Sequence, residues 1–198
     1  GEAPRNLMPM SEVLTRMVKN IDDRYYIGDQ WQYYCPENAN WMSYGWIGGL
    51  MNTYPMLALG DAEHLQKVKN TFDFALPRAK GKSGYYYDVL GADGKPFSRD
   101  AAANHPGVGL TRKNGDILYW MVKQFMLLKE QEKASAIDPE WETNVRLLAD
   151  AFVNTWKKHG TWGNYLDVES GDIAVYNTTS GVPTCGMYNT MYYVVPTV

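Results

Sequence analysis

Apolar residues recur along the chain at helical spacing, in stretches of two kinds. Residues 10 to 26 place Met10, Val13, Leu14, Met17, Val18, Ile21 and Tyr25 at i, i+3, i+4 positions, with Arg16, Lys19 and Asp23 opposite. That period predicts an amphipathic helix. Residues 38 to 59 differ: Trp41, Met42, Tyr44, Trp46, Ile47, Leu50, Met51, Tyr54, Met56 and Leu57 cover nearly every face. A helix apolar all round is buried on all sides, and Gly45, Gly48 and Gly49 allow close helix contact there. Gly60-Asp61 reads as a stop and restart. Residues 62 to 76 are amphipathic again, through Leu65, Val68, Phe72 and Leu76. Residues 115 to 130 are apolar on every side, and residues 139 to 158 carry one stripe of Trp141, Val145, Leu148, Phe152 and Trp156. Residues 184 to 195 are apolar and aromatic, and read as a sixth helix cut short.

Half-exposed helices thus alternate with wrapped ones. The pattern predicts concentric layers, outer helices facing water and inner helices facing a central axis. Loop lengths agree. Links from inner to outer helices are short, at Gly60-Asp61 and 131 to 138. Links from outer to inner helices are long, at 27 to 37, 77 to 111 and 159 to 183. With helices running alternately up and down, every long loop lies at one end, beside the N-termini of the inner helices. Loops of such length in a compact domain are usually functional.

Two of the long loops repeat each other. Gly81-Lys82-Ser83-Gly84-Tyr85-Tyr86-Tyr87-Asp88-Val89 matches Gly160-Thr161-Trp162-Gly163-Asn164-Tyr165-Leu166-Asp167-Val168 in the pattern G-x-x-G-x-Y-x-D-V. Each reaches a turn, Ala92-Asp93-Gly94 or Glu169-Ser170-Gly171-Asp172, and reads as a β-hairpin between helices. A repeat preceded each time by an amphipathic helix indicates an array of helical hairpins. The expected fold is all-α in a single domain, residues 1 to 198, with two inserted β-hairpins.

Composition sharpens this picture. The 198 residues are 45% hydrophobic and 21% charged, a globular balance. A net charge of -3 leaves no basic excess for a phosphate backbone, so nucleic acid is not an expected partner. No apolar run approaches the ~20 residues of a membrane span. Tyr (15) and Trp (7) outnumber Phe (5), which suits surfaces that stack on sugar rings and hydrogen-bond hydroxyls, or a large core that tolerates them. With Cys35 and Cys185 far apart and three histidines in all, no metal site and no cofactor is expected, and at most one disulfide. The start Gly1-Glu2-Ala3-Pro4, without an initiator Met, reads as a processed or engineered terminus. A secreted or periplasmic location is therefore an expectation, with a cytoplasmic one left open.

Alternating outer and inner helices, aromatic inner helices and the excursion Tyr165-Leu166-Asp167-Val168-Glu169-Ser170-Gly171-Asp172-Ile173 resemble the (α/α) toroids of the six-hairpin glycosidase superfamily. The segment Gly163 to Gly181, closing on Thr179-Ser180-Gly181, is similar to uncharacterised bacterial members. That fold closes with six hairpins, and this chain offers about three. The resemblance therefore implies about half a ring, completed by self-association or by further chain. It also implies an oligo- or polysaccharide partner, held at the inner-helix N-termini. The leading function is glycoside hydrolysis by a carboxylate pair. A polysaccharide lyase or sugar epimerase is the second enzyme reading, and a non-catalytic carbohydrate-binding protein the contrasting one.

Helix N-termini favour acceptor-rich or anionic ligands independently of any family. Hydrolysis needs two carboxyl groups flanking the bond. Asp116, after Asn114-Gly115 at the mouth of an inner helix, is the first candidate acid, and a plain helix-start carboxylate otherwise. Glu37, ahead of the first inner helix, is the candidate second carboxylate. His105, in Asn104-His105-Pro106-Gly107, is a candidate acid/base or sugar contact, or a loop histidine with neither role. Arg112 is placed to clamp a ligand carboxylate or to pair with Asp116, and the acid role requires the former. Trp31, Tyr33, Trp41, Tyr86 and Trp162 are candidate stacking platforms, whereas Trp46 and Trp120 read as core. Asp88 and Asp167 share one place in the repeat and read as structural residues that close a turn or bond backbone N–H groups. Gly107-Val108-Gly109 lacks the preceding strand of a nucleotide loop, and no Gly-x-Ser-x-Gly supports a serine hydrolase.

Overall fold

The structure is a computed structural model that describes residues 8–27, 33–35, 41–43, 49–91, 93–97 and 107–176, with residues 41–43 described by backbone alone. Along these run α1 (Met10–Tyr25), β1 (Tyr26–Ile27), β2 (Tyr33–Tyr34), β3 (Trp41–Ser43), α2 (Gly49–Ala58), α3 (Ala62–Ala79), β4 (Val89–Gly91), β5 (Pro96–Phe97), β6 (Val108–Leu110), α4 (Thr111–Glu130), a 3-10 turn, α5 (Pro139–His159), β7 (Tyr165–Asp167) and β8 (Ile173–Val175). The helices start where the sequence supplies caps. Asp61 accepts from His64 N at 2.8 Å, and Asp138 from Glu140 N at 2.7 Å. Among the described residues no helix is long and apolar enough to cross a membrane.

The layers are those the alternation predicts. Inner helices α2 and α4 pack on each other, outer helices α3 and α5 pack on each other, and each inner helix packs on its outer neighbour. The core between them holds Leu50, Met56, Phe72, Leu76, Ile117, Met121, Leu148 and Phe152. A buried polar link joins the inner pair: Thr53 donates to Gln124 Oε1 at 2.7 Å, and Gln124 Nε2 donates to Leu50 O at 3.1 Å. Every member of that link has a partner, so it fixes register without leaving an orphan.

The ends separate as expected for the two repeated loops, whereas Asp22 in the last turn of α1, just ahead of the loop at 27 to 37, lies against His64 at the short-link end. At one end the two short links meet: Gln131 Nε2 donates to Leu57 O at 3.1 Å, and Lys133 Nζ donates to Gly60 O. The repeated loops gather at the other. There the strand before each inner helix pairs antiparallel with the hairpin after the next outer helix. One sheet is β3-β4-β5, and the other is β6-β7-β8. The two copies touch directly, Ser83 N and Oγ donating to Val168 O at 3.1 and 2.7 Å. Asp88 Oδ1 accepts from Leu110 N at 2.7 Å, and Asp167 Oδ1 accepts from Glu169 N at 3.0 Å and Ser170 N at 2.7 Å. Both aspartates therefore bond backbone N–H groups, Asp167 within its own turn and Asp88 on the strand β6.

Three expectations are corrected. The inner helix expected from residue 38 begins at Gly49, because Trp41-Met42-Ser43 is a strand paired with Gly91-Leu90-Val89. A short apolar run fits a buried strand as well as a helix, and periodicity alone cannot separate them. Helix α4 is not wrapped on every side, since one face keeps partial exposure from Arg112 to Lys123. Helix α1 has no fully buried residue, and Met10, Leu14 and Met17 of its apolar stripe are exposed. The expected helix at 184 to 195 lies outside the described residues.

Candidate functional site

The N-terminal end of α4 is built from both repeats. Thr111 N donates to Asn164 O at 2.9 Å, tying the start of the helix to the second repeat. One turn on, Asn114 grips the first repeat: its Oδ1 accepts from Tyr86 N at 2.7 Å and its Nδ2 donates to Tyr86 O at 3.0 Å. Thr111, Lys113, Asn114 and Gly115 are buried in this junction.

Around the helix from that buried face lie Arg112, Asp116, Tyr119, Trp120 and Lys123, each half-buried. Their spacing of four, three, one and three residues puts them on one side of α4. The Asp116 side chain is 15% exposed and that of Arg112 38%, with Arg112 Nε 3.9 Å from Asp116 Oδ2. Trp120 meets Tyr119 edge-on at 5.1 Å and tilts against Tyr54 of α2 at 5.4 Å. The stripe thus offers a cation, a carboxylate and an aromatic group in sequence on an inner helix.

The sequence found part of this. Asp116 and Arg112 lie together at the inner-helix N-terminus. Arg112 sits beside Asp116, however, which is the arrangement the acid role of Asp116 required to be absent. Trp120, read as core, is a partly exposed member of the stripe. Tyr119 and Tyr54 were missed as site residues, although their spacing on apolar helices was the available signal. Two platforms are corrected. Tyr33 is 3% exposed and stacks on Phe74 with centroids 4.1 Å apart, and burial pushes its phenol up to about 12. Tyr86 is 1% exposed, and burial raises its phenol too. Neither presents a ring face to a ligand, because the inter-layer core needed large side chains there. Trp162 belongs to the outer layer, donating from Nε1 to Phe152 O at 2.8 Å and leaning on Trp156 at 4.4 Å. Glu37, His105, Trp31 and the Trp41 side chain lie outside the described residues. Cys35 is a buried thiol, and Cys185 lies outside the described residues. Among the described residues no group of His, Cys, Asp and Glu is arranged to hold a metal ion.

No family model and no curated protein matches the chain. Solved structures do. A D-mannose isomerase superposes with a TM-score of 0.50 at 18% identity, over 75% of this chain and 36% of that one. A cellobiose 2-epimerase from Spirochaeta thermophila DSM 6192 aligns at TM-score 0.49 and 12% identity, over 84% of this chain and 42% of that one. The chain therefore spans well under half the length of either protein. At these identities the likeness concerns fold alone. With its alternating layers and paired excursions, the chain carries part of an (α/α) toroid.

Proposed function

We propose that this chain is part of a carbohydrate-active toroid in which a sugar lies over the α4 stripe. The observation that carries the reading is the row Arg112, Asp116, Tyr119 and Trp120 on the half-buried face of an inner helix. A carboxylate and a guanidinium bond hydroxyl groups, and an aromatic ring takes the C–H face of a pyranose. Those contacts side by side suit a polyol better than a purely apolar ligand.

Two chemistries fit such a site. Glycoside hydrolysis needs one carboxyl group that begins protonated and a second across the bond; Asp116 and Glu37 are the proposed pair. Isomerisation or epimerisation needs a group that takes a proton from carbon and another that returns it. Asp116 suits the base in that scheme, with His105 proposed as its acid/base partner, and a lyase would use the same first step. With Arg112 placed against Asp116 and not turned to the ligand as the acid role required, the geometry fits the second chemistry better. The likeness to a D-mannose isomerase leans the same way.

The test is titration of the full chain with D-mannose, other aldoses and neutral oligosaccharides, followed by product analysis. The expected result is saturable binding of an aldose, weakened about tenfold or more in Asp116→Asn and in Trp120→Ala through loss of one charged contact or one stacked ring. Ketose or epimer formation supports proton transfer, and release of a new reducing end supports hydrolysis. Binding unchanged in both variants would remove the stripe from the site.

A further inference from the structure

Beside the backbone bond from Cys35 N to Tyr25 O at 2.7 Å, helix α1 is fastened to the rest of the fold through the carboxylate of Asp22. Asp22 Oδ1 accepts from Tyr34 Oη at 2.7 Å and lies 3.1 Å from Lys67 Nζ. Its Oδ2 lies 2.9 Å from His64 Nε2. The other ring nitrogen, His64 Nδ1, lies 2.6 Å from Asp61 Oδ2 in the turn between α2 and α3. An ionised carboxylate only accepts hydrogen bonds, and a neutral imidazole has a single N–H. One of the two short contacts would then set lone pair against lone pair. Only the imidazolium donates on both sides. Apolar contact adds little among the described residues, where α1 has no fully buried residue and packs against the core through Val18 and Ile21.

We propose that His64 is a proton-dependent clamp: as an imidazolium between Asp22 and Asp61 it holds α1 against the turn between α2 and α3, and loss of its proton loosens α1. The surroundings of the ring favour its charge. From α1 come Asp22 and, at the rim of the groove, Lys19 and Asp23, which pair with each other at 2.6 Å. From the turn comes Asp61. From α3 come Glu63 and Lys67, paired at 2.7 Å. From the β1–β2 hairpin come Tyr34, uncharged, and Tyr26, whose ring lies 5.4 Å from Lys67 Nζ. Asp22, Asp61 and Glu63 thus stand against Lys67, leaving a net negative field at the imidazole. Burial is the largest single influence on His64 and disfavours its charge, but Asp61 and Asp22 together outweigh it and raise its pKa above the ordinary 6.5. The sign follows: the attachment is fully present below the unfolded value and is lost as pH rises through the raised folded value.

The test is amide hydrogen exchange on the full chain from about pH 5 to about pH 9, the range in which histidine titrates, with rates corrected to protection factors. Protection across α1 should fall about tenfold or more, the factor that loss of one hydrogen bond to a charged group represents, while α5 stays constant. The midpoint should coincide with the titration of the His64 ring protons. In His64→Gln, α1 should be weakly protected at every pH, with no transition. If that variant fails to fold, the parent series and the ring titration decide alone. Constant protection of α1, a midpoint that does not follow His64, or loss of α1 and α5 together would each overturn the clamp.

Discussion

The side-chain amide of Asn114 behaves as a piece of backbone. It pairs with both the N–H and the C=O of Tyr86, so a buried extended segment is satisfied by a helix and not by a strand. Truncation leaves both groups buried without that partner. Asn114→Ala is expected to cost about 2–4 kcal/mol on the scale of two lost buried hydrogen bonds, read as a lower urea midpoint at unchanged slope. A change within error would mean that water or a rearranged loop replaces the amide. Nothing in the sequence marked Asn114 for this, since its partner is 28 residues away. Asp116 and Arg112 were legible because a charged residue among apolar ones on a predicted inner helix stands out. Tyr33 and Tyr86 were misread because residue type gives the chemistry of a ring and not the side of the layer on which it lies.

At the scale of elements, the repeat places glycine at 81 and at 160 for two different reasons. Gly81 passes so close to the second repeat that an added Cβ would lie 2.0 Å from Val168 O. Gly160 meets nothing within 4 Å, and caps α5 with a φ of +68°. A side chain at 160 therefore costs only the left-handed conformation, about 1–2 kcal/mol. At 81 the backbone of one hairpin must move away from the other, costing about 2–3 kcal/mol or more as overpacking does. Gly81→Ala should thus unfold at lower denaturant than Gly160→Ala. The reverse order would mean that the hairpins are not held in contact in solution. The strand β3 shows the same limit from the other side: its residues were apolar enough for the buried helix expected there, and only pairing with β4 makes them a strand.

On the scale of the whole molecule, the layers end in two open flanks. One is the exposed stripe of Met10, Leu14 and Met17 on α1. The other is the groove between α4 and α5, lined by Val122, Phe125, Met126 and Val145 and rimmed by Lys129, Glu142 and Arg146, with Met126 exposed. The two flanks belong to the first and the last of the described helices. Where a second copy and not further chain covers these faces, the α1 flank of each copy meets the α4–α5 flank of the other across a two-fold axis. Light scattering should give a mass near twice that of one chain at high concentration. Met126→Glu and Leu14→Lys should each return it to the monomer, and a monomer at every concentration would reject the pairing.

The sequence by itself determined the five described helices in outline, their order as outer and inner, the end at which the two repeated loops gather, and the repeat that makes two hairpins alike. These follow from local periods and spacings, which the backbone geometry of a helix or hairpin converts directly into faces and ends. Only the tertiary structure decided which aromatic rings became core, that Arg112 sits beside Asp116, that α4 keeps a partly exposed face, and that His64 lies between two carboxylates from different elements. Each of these depends on packing between segments distant in the chain. Burial and charge pairing are properties of that meeting and not of either segment alone.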